Sequence, residues 1–484
     1  MPYIAELEKK GIPTVLIDLS DQHEMVKQEA LVNGMPNVRF LPASRTLPGP
    51  EDVQNWIKPM LEELTRPLTD KEKESGLYSP PQPRVLFEGT LDDAVEFYSQ
   101  TRHVPDPLDA PISVYTDGLP IVIPTEERVA RMCKGTSHRP DEVITYQSDR
   151  GQRMFEDVKK GDVVRFQPMK RAATVEQVAV NAVMAGCKPE YFPIVLAIAE
   201  SGVQTGTTVY NNQWCVVSGP IAKEIGMNAG LGMFGPGNPA NSTIGRAYQL
   251  MATNLGGAIP GINRMSSLGS PMNRGGMCFA EDVDSLPPGW LGLNEEHGFR
   301  KDQNVVMVMG TEGGLDAAQF SPGGYRAFQK SGHGGIARRL GVKGQPGPHN
   351  FLEFILPGIW AGGREGARTF IMVHEMAHHL YEMGYKTKHD VYEYIWKKGL
   401  EPLSAYRNRS WVDLMTNGWM GVDRQSGIPW KELPEDHLIS VAGDKPDDNC
   451  IIVCGSDEEV CMQITGAPRA MFGFSPFYSV DAWK

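Results

Sequence analysis

The chain has 484 residues, 41% hydrophobic and 22% charged, which is the make-up of an ordinary globular protein long enough for roughly two to four domains. Its 59 acidic and 47 basic side chains leave a net charge of −12, which works against nucleic acid and anionic membranes as partners. The apolar run FPIVLAIA (192–199) is too short to span a bilayer and MPYIAELEKKGIP lacks the apolar core of a secretory signal, so no membrane partner and a cytoplasmic location are expected.

From the N-terminus, residues 1–65 alternate helix and strand. A short helix over 3–10 ends at Gly11, TVLIDL (14–19) reads as a buried strand, and Ser20 or Asp21 caps a helix that runs to about Asn33 and stops at Gly34. The strand NVRFLPA (37–43) and a helix from Pro50 complete an αβαβα order, half of a doubly wound, flavodoxin-like sheet. Two parallel strands do not cover both faces of a sheet, so the segment reads as a half-domain lacking its first strands. RPLTDKEKESGLYSPPQPR (66–84) is charged, Pro-rich and aperiodic, as a linker is. The remainder, 85–484, shows no second obvious break and reads as one large mixed α/β domain.

Within that domain, Thr174 and Gln177 form a capping box for a helix that ends near Gly186, and Pro189 opens the next. Cys187 therefore stands just before a helix and beside Lys188, two features that favour a thiolate; the alternative is a small buried residue filling a tight turn. Seven cysteines without CxxC spacing point to reduced thiols. Between Gly226 and Gly276 lie 12 glycines, well above the average of roughly 7%. There GPGNPANSTIGR presents Asn238, Asn241, Ser242, Thr243 and Arg246 around a loop whose backbone N–H groups suit a carboxylate or phosphate. The loop has neither a Walker ending nor a Rossmann fingerprint, and glycines also serve close backbone packing. Farther on, Glu281 and Asp282 in CFAED are candidates for a general base near the anion site, or surface carboxylates.

The blocks TDGLPIVIPTEERV (116–129), VAVNAVMAGCKPEYFPIVLA (178–197), GPIAKEIGMNAG (219–230), GPGNPANSTIGRA (235–247) and CFAED (278–282) resemble the bacterial UGSC family of proteins and selenoproteins. That family is named for a Sec/Cys-Gly-Ser-Cys motif and is similar in character to the selenoprotein subunits of glycine and proline reductases. The resemblance runs over about 1–455, and the family motif would precede residues 4–17, where this chain begins. Cys454-Gly455-Ser456 matches three of its letters but ends in Asp457 and is read as coincidence. The resemblance implies a thiol-dependent enzyme with redox or carbon-heteroatom bond chemistry. The uncovered two-stranded sheet points to a small partner subunit carrying the family's Cys-Gly-Ser-Cys segment, or else to closure of the half-domain internally or against a second copy.

IMVHEMAHHL (371–380) contains His374-Glu375-Met376-Ala377-His378, the HExxH spacing of zinc hydrolases, in which Glu375 would serve as base. RTFIMV (368–373) reads as a strand running directly into His374, so that histidine falls at the first helical turn, and Tyr381 stands where a metzincin has glycine. Glu393 is a conceivable third ligand, though Thr387 and Asp390 start a new helix. Cys450 and Cys454 share a strand face and, with Cys461, read as core. His103 and His138 lie in Pro-rich loops and carry no signal. The sequence thus predicts an α/β protein that is the large subunit of a thiol-dependent enzyme acting on a small anionic organic molecule. Cys187 and Glu281 are its catalytic candidates, and no cofactor is assigned. The alternatives are a zinc hydrolase using His374, Glu375 and His378, and a non-catalytic binding subunit.

Overall fold

The N-terminal alternation of caps and apolar runs folds as its pattern requires. In the computed structural model, helix α1 (Pro2–Lys9) is closed by Gly11 at φ +77°, and strand β1 (Leu16–Leu19) leads through a 3-10 turn into α2 (His23–Val32), stopped by Gly34 at φ +83°. The order is completed by β2 (Phe40–Ala43) and by α3 (Pro50–Thr65), where Asp52 accepts the Gly49 N–H at 2.8 Å. The two strands run parallel, with Leu16 opposite Phe40 and Leu19 opposite Ala43, and among the described residues they pair with no other strand. On α3, Val53, Ile57 and Leu61 lie four residues apart on one face and are 48%, 40% and 55% exposed. The structure describes the chain except residues 1, 36, 44–48, 75–82, 104–110, 154–155, 206–212, 265–276, 311–316, 320–323, 326–331, 340, 363–366, 406–421, 424–425, 457–459 and 467–474.

Two compact units divide the chain. The first is Met1–Asp149, Lys159–Asn212 and Arg246–Gly276; the second is Arg150–Val158, Gln213–Gly245 and Met277–Lys484. The segment 1–65 belongs to the first, tied there by Lys170 Nζ donating to Asn33 Oδ1 at 2.8 Å and by an Arg264–Glu29 ion pair at 3.2 Å. The linker-like stretch at 66–84 therefore lies inside one unit, and 85–484 is shared between both.

The rest of the first unit is built around helices α4 (Leu91–Tyr98), α5 (Glu126–Cys133), α6 (Val175–Ala185) and α7 (Phe192–Ala199). Thr174 accepts the Gln177 N–H and Gln177 Oε1 accepts the Thr174 N–H, the reciprocal cap visible in the sequence; Gly186 ends α6 at φ +88°. Every residue of α7 is buried, which explains why its sequence is apolar all round. Helix α8 (Pro239–Asn254) begins in residues of the second unit and ends in residues of the first.

The second unit holds two four-stranded sheets. In one, β3 (Gln213–Ser218) runs parallel to β4 (Met277–Ala280) and antiparallel to β5 (Val305–Gly310). In the other, β6 (Ala317–Gln319) is an edge, and helix α9 (Phe351–Gly362) precedes the central strand β7 (Arg368–Met372). Helices α10 (His374–Glu382) and α11 (Lys388–Lys398) follow, then β8 (Cys450–Val453) and β9 (Met462–Gly466). β7 pairs parallel with β8 and antiparallel with β9, and β10 (Phe477–Ser479) closes the first sheet against β5. One face of the second sheet, with Phe370, Met372, Ile451, Val453, Met462 and Ile464, packs on apolar residues of α9, α10 and α11. The alternation of two then places Ile371, Gln463, Thr465, Cys450 and Cys454 on the opposite face.

Candidate functional site

On that opposite face, beyond the carboxyl ends of the parallel strands β7 and β8, the second unit contains a cavity of about 350 Å3. Such a crevice is where open α/β sheets bind ligands. Its floor is residues 371–373, one wall is 454–456 with Cys461 and Gln463, and the other wall is the glycine-rich loop 230–235. None of these lining residues is charged.

The glycine-rich wall is held by the asparagines that the sequence singled out. Asn241 Oδ1 accepts the Asn228 N–H at 3.0 Å while its Nδ2 donates to the carbonyls of Asn228 (2.8 Å) and Met233 (3.3 Å). Asn238 accepts from Asn228 Nδ2 at 2.9 Å and donates to the carbonyls of Gly232 (2.8 Å) and Gly235 (3.0 Å). These amides are thus occupied in shaping the loop. Thr243 Oγ1 donates to the Pro239 carbonyl at 2.7 Å, and the exposed Ser242 donates its N–H to Asn238 O at 3.0 Å. Arg246, in the first unit, makes a two-point ion pair with Asp117, both bonds 2.8 Å. The Arg246 guanidinium is thus engaged by a carboxylate of its own unit.

Gly455 fixes the other wall. Its φ of +91° is a region L side chains rarely adopt, and a Cβ there would stand 3.0 Å from Val373 Cγ1, while its N–H donates to Ala229 O at 2.7 Å. The Cys454-Gly455-Ser456 triplet therefore has a structural use, a left-handed turn between β8 and the cavity.

All seven cysteines are thiols; six are buried and Cys461 is half-buried. Burial, then the carboxylates of Glu281 and Asp282 and the neighbouring Cys461, push the Cys454 thiol well above its ordinary range. Cys187 is 9% exposed and follows the α6 cap, with its N–H donated to Ala182 O at 3.0 Å. A 3-10 turn, Pro189–Tyr191, separates it from α7, and the Lys188 ammonium lies 3.9 Å from Glu190 and 5.9 Å from the Tyr191 ring centre.

Glu281 lies outside the cavity lining, in a buried ionic cluster of the second unit. Lys388 Nζ is 3.1 Å from Glu281 Oε1 and 2.8 Å from Glu296 Oε2. The other Glu281 oxygen accepts from Ser218 Oγ (2.8 Å) and Leu293 N–H (2.6 Å), and Tyr392 OH donates to Glu296 at 3.1 Å. A carboxylate with every partner fixed orients its neighbours and is poorly placed to take a substrate proton.

His374 is the first residue of α10, as the strand-into-helix pattern predicts. His378 Nε2 meets the Ser285 carbonyl at 3.1 Å, His379 Nδ1 meets Tyr325 OH at 2.6 Å, Glu375 is half-buried in the first turn, and Glu393 bonds Lys397 at 2.5 Å. Among the described residues no group of three or more His, Cys, Asp or Glu is placed to hold a metal ion.

In the sequence Cys461 reads as core, and Gln463 escapes notice because a short apolar run hides it. The signal was VCMQIT (460–465), where Cys461, Gln463 and Thr465 recur at a period of two and so put polar atoms on one face of a buried strand. No helix among the described residues is long and apolar enough to cross a membrane. No protein-family model, no curated protein and no solved structure matches the chain.

Proposed function

We propose that the protein is a thiol-dependent enzyme acting on a small organic molecule held in the cavity of its second unit, with Cys461 as the reacting thiol. One observation carries the reading: six cysteines are buried, and the half-buried seventh opens onto this cavity. Reactivity of a thiol follows access and thiolate character, and Cys454 beside it is held protonated. The resemblance to the UGSC family supports thiol chemistry of the redox or carbon-heteroatom type. It also supports a small second chain that adds strands to the half-domain, for which the two-stranded sheet and the exposed stripe of α3 supply an edge and an apolar surface.

Titration of the folded protein with the uncharged reagent 4,4'-dithiodipyridine tests the thiol assignment. One cysteine should react in a fast phase, and Cys461→Ser should remove that phase while Cys187→Ser preserves it. A fast phase that survives Cys461→Ser would remove Cys461 from the reaction and leave the cavity as a binding site without its thiol.

A further inference from the structure

Gln463 is 8% exposed, lines the cavity, and makes no side-chain hydrogen bond to any described residue. The side chain is largely covered, but its amide atoms are not sealed from solvent, so they are available to whatever enters the cavity. The carboxamide offers both an acceptor oxygen and two donor hydrogens. Around it stand Leu231, Met233, Phe234, Ile371 and Val373, which give the site an apolar body and one polar end.

Charge decides between the ligands that such an end could take. An ionised carboxylate or phosphate entering this cavity would lose its hydration and meet no cation among the described lining residues. An ammonium group fares no better, because no carboxylate among the described lining residues receives it. A neutral amide matches: its N–H donates to Gln463 Oε1 and its carbonyl accepts from Gln463 Nε2, a paired bond that no single-function polar group reproduces.

We infer that Gln463 is the specificity-determining residue of the cavity, and that it selects an uncharged molecule with a compact apolar body and a terminal amide. The inference rests on the same cavity as the proposed enzyme, but it does not use the thiol. It narrows the ligand from the anionic molecule expected from the glycine-rich loop to a neutral one.

The test compares three probes of one size, benzamide, benzoate and benzylamine, by isothermal titration and saturation-transfer NMR at neutral pH. The wild-type protein should bind benzamide about tenfold or more tightly than either charged probe, and Gln463→Leu should weaken benzamide by about tenfold. Gln463→Glu, which keeps the shape and adds a charge, should shift the preference to benzylamine, so the prediction stands even if the leucine variant fails to fold. Equal or tighter binding of benzoate, no binding of any probe, or benzamide affinity unchanged in a folded Gln463 variant would overturn the inference. Both readouts are taken on the wild-type protein: a benzamide preference without a fast Cys461 phase sinks the thiol assignment alone, and a fast phase without that preference sinks this inference alone.

Discussion

Lys388 is 2% exposed, yet it carries an ammonium 3.1 Å from Glu281 and 2.8 Å from Glu296. Burial opposes its charge, but the two carboxylates outweigh burial and hold the group above the ordinary lysine range, so it is charged at neutral pH. Removing one member of such a cluster leaves the others buried and uncompensated. Lys388→Met should therefore destabilise the second unit by about 3–5 kcal/mol in urea unfolding, far more than a surface lysine would. A loss below about 1 kcal/mol would show that the carboxylates simply take up protons or water instead. The sequence pointed to Glu281 as a base because CFAED places two acids after a glycine-rich stretch. Its true partner stands 107 positions away, and no local pattern links a lysine at the start of one helix to a strand end so distant.

At the scale of elements, what is local was legible. Caps at Thr174 with Gln177 and at Thr387 with Asp390, the glycine stops at 11, 34, 186 and 384, and the strand that runs into His374 all follow from neighbours a few residues apart. Pairing was not legible: β7 lies between β8 and β9, which stand roughly 80 and 90 to 100 residues further on, and only that pairing creates the cavity. The asparagines of the glycine-rich loop were recognised, and the structure shows them bonding to the loop itself. Asn241→Ala would leave the Asn228 N–H and the Asn228 and Met233 carbonyls without their partner. It should cost about 1–3 kcal/mol and speed amide hydrogen exchange over 228–235 while the exchange of β7 and β8 is unchanged. Unchanged exchange in that loop would mean that its shape is held by other contacts.

At the scale of the whole molecule, the αβαβα order of 1–65 was readable, whereas its membership of the first unit depends on Lys170 and Arg264, far along the chain. The stripe of Val53, Ile57 and Leu61 beside a two-stranded sheet predicts association of the chain when it is purified alone. Sedimentation should show species above the monomer mass, and Ile57→Glu with Leu61→Glu should return them to monomer; a wild-type monomer at tens of micromolar would show that this surface needs no cover. The central claim, that the chemistry belongs to the cavity of the second unit, is tested most directly by the order in which the seven cysteines of the folded protein take up N-ethylmaleimide, followed by peptide mass spectrometry. Cys461 should be modified first, about tenfold or more ahead of Cys454, Cys187 and the rest, and benzamide should slow it selectively. Modification of Cys187 first, or of all seven together only as the protein unfolds, would contradict the account.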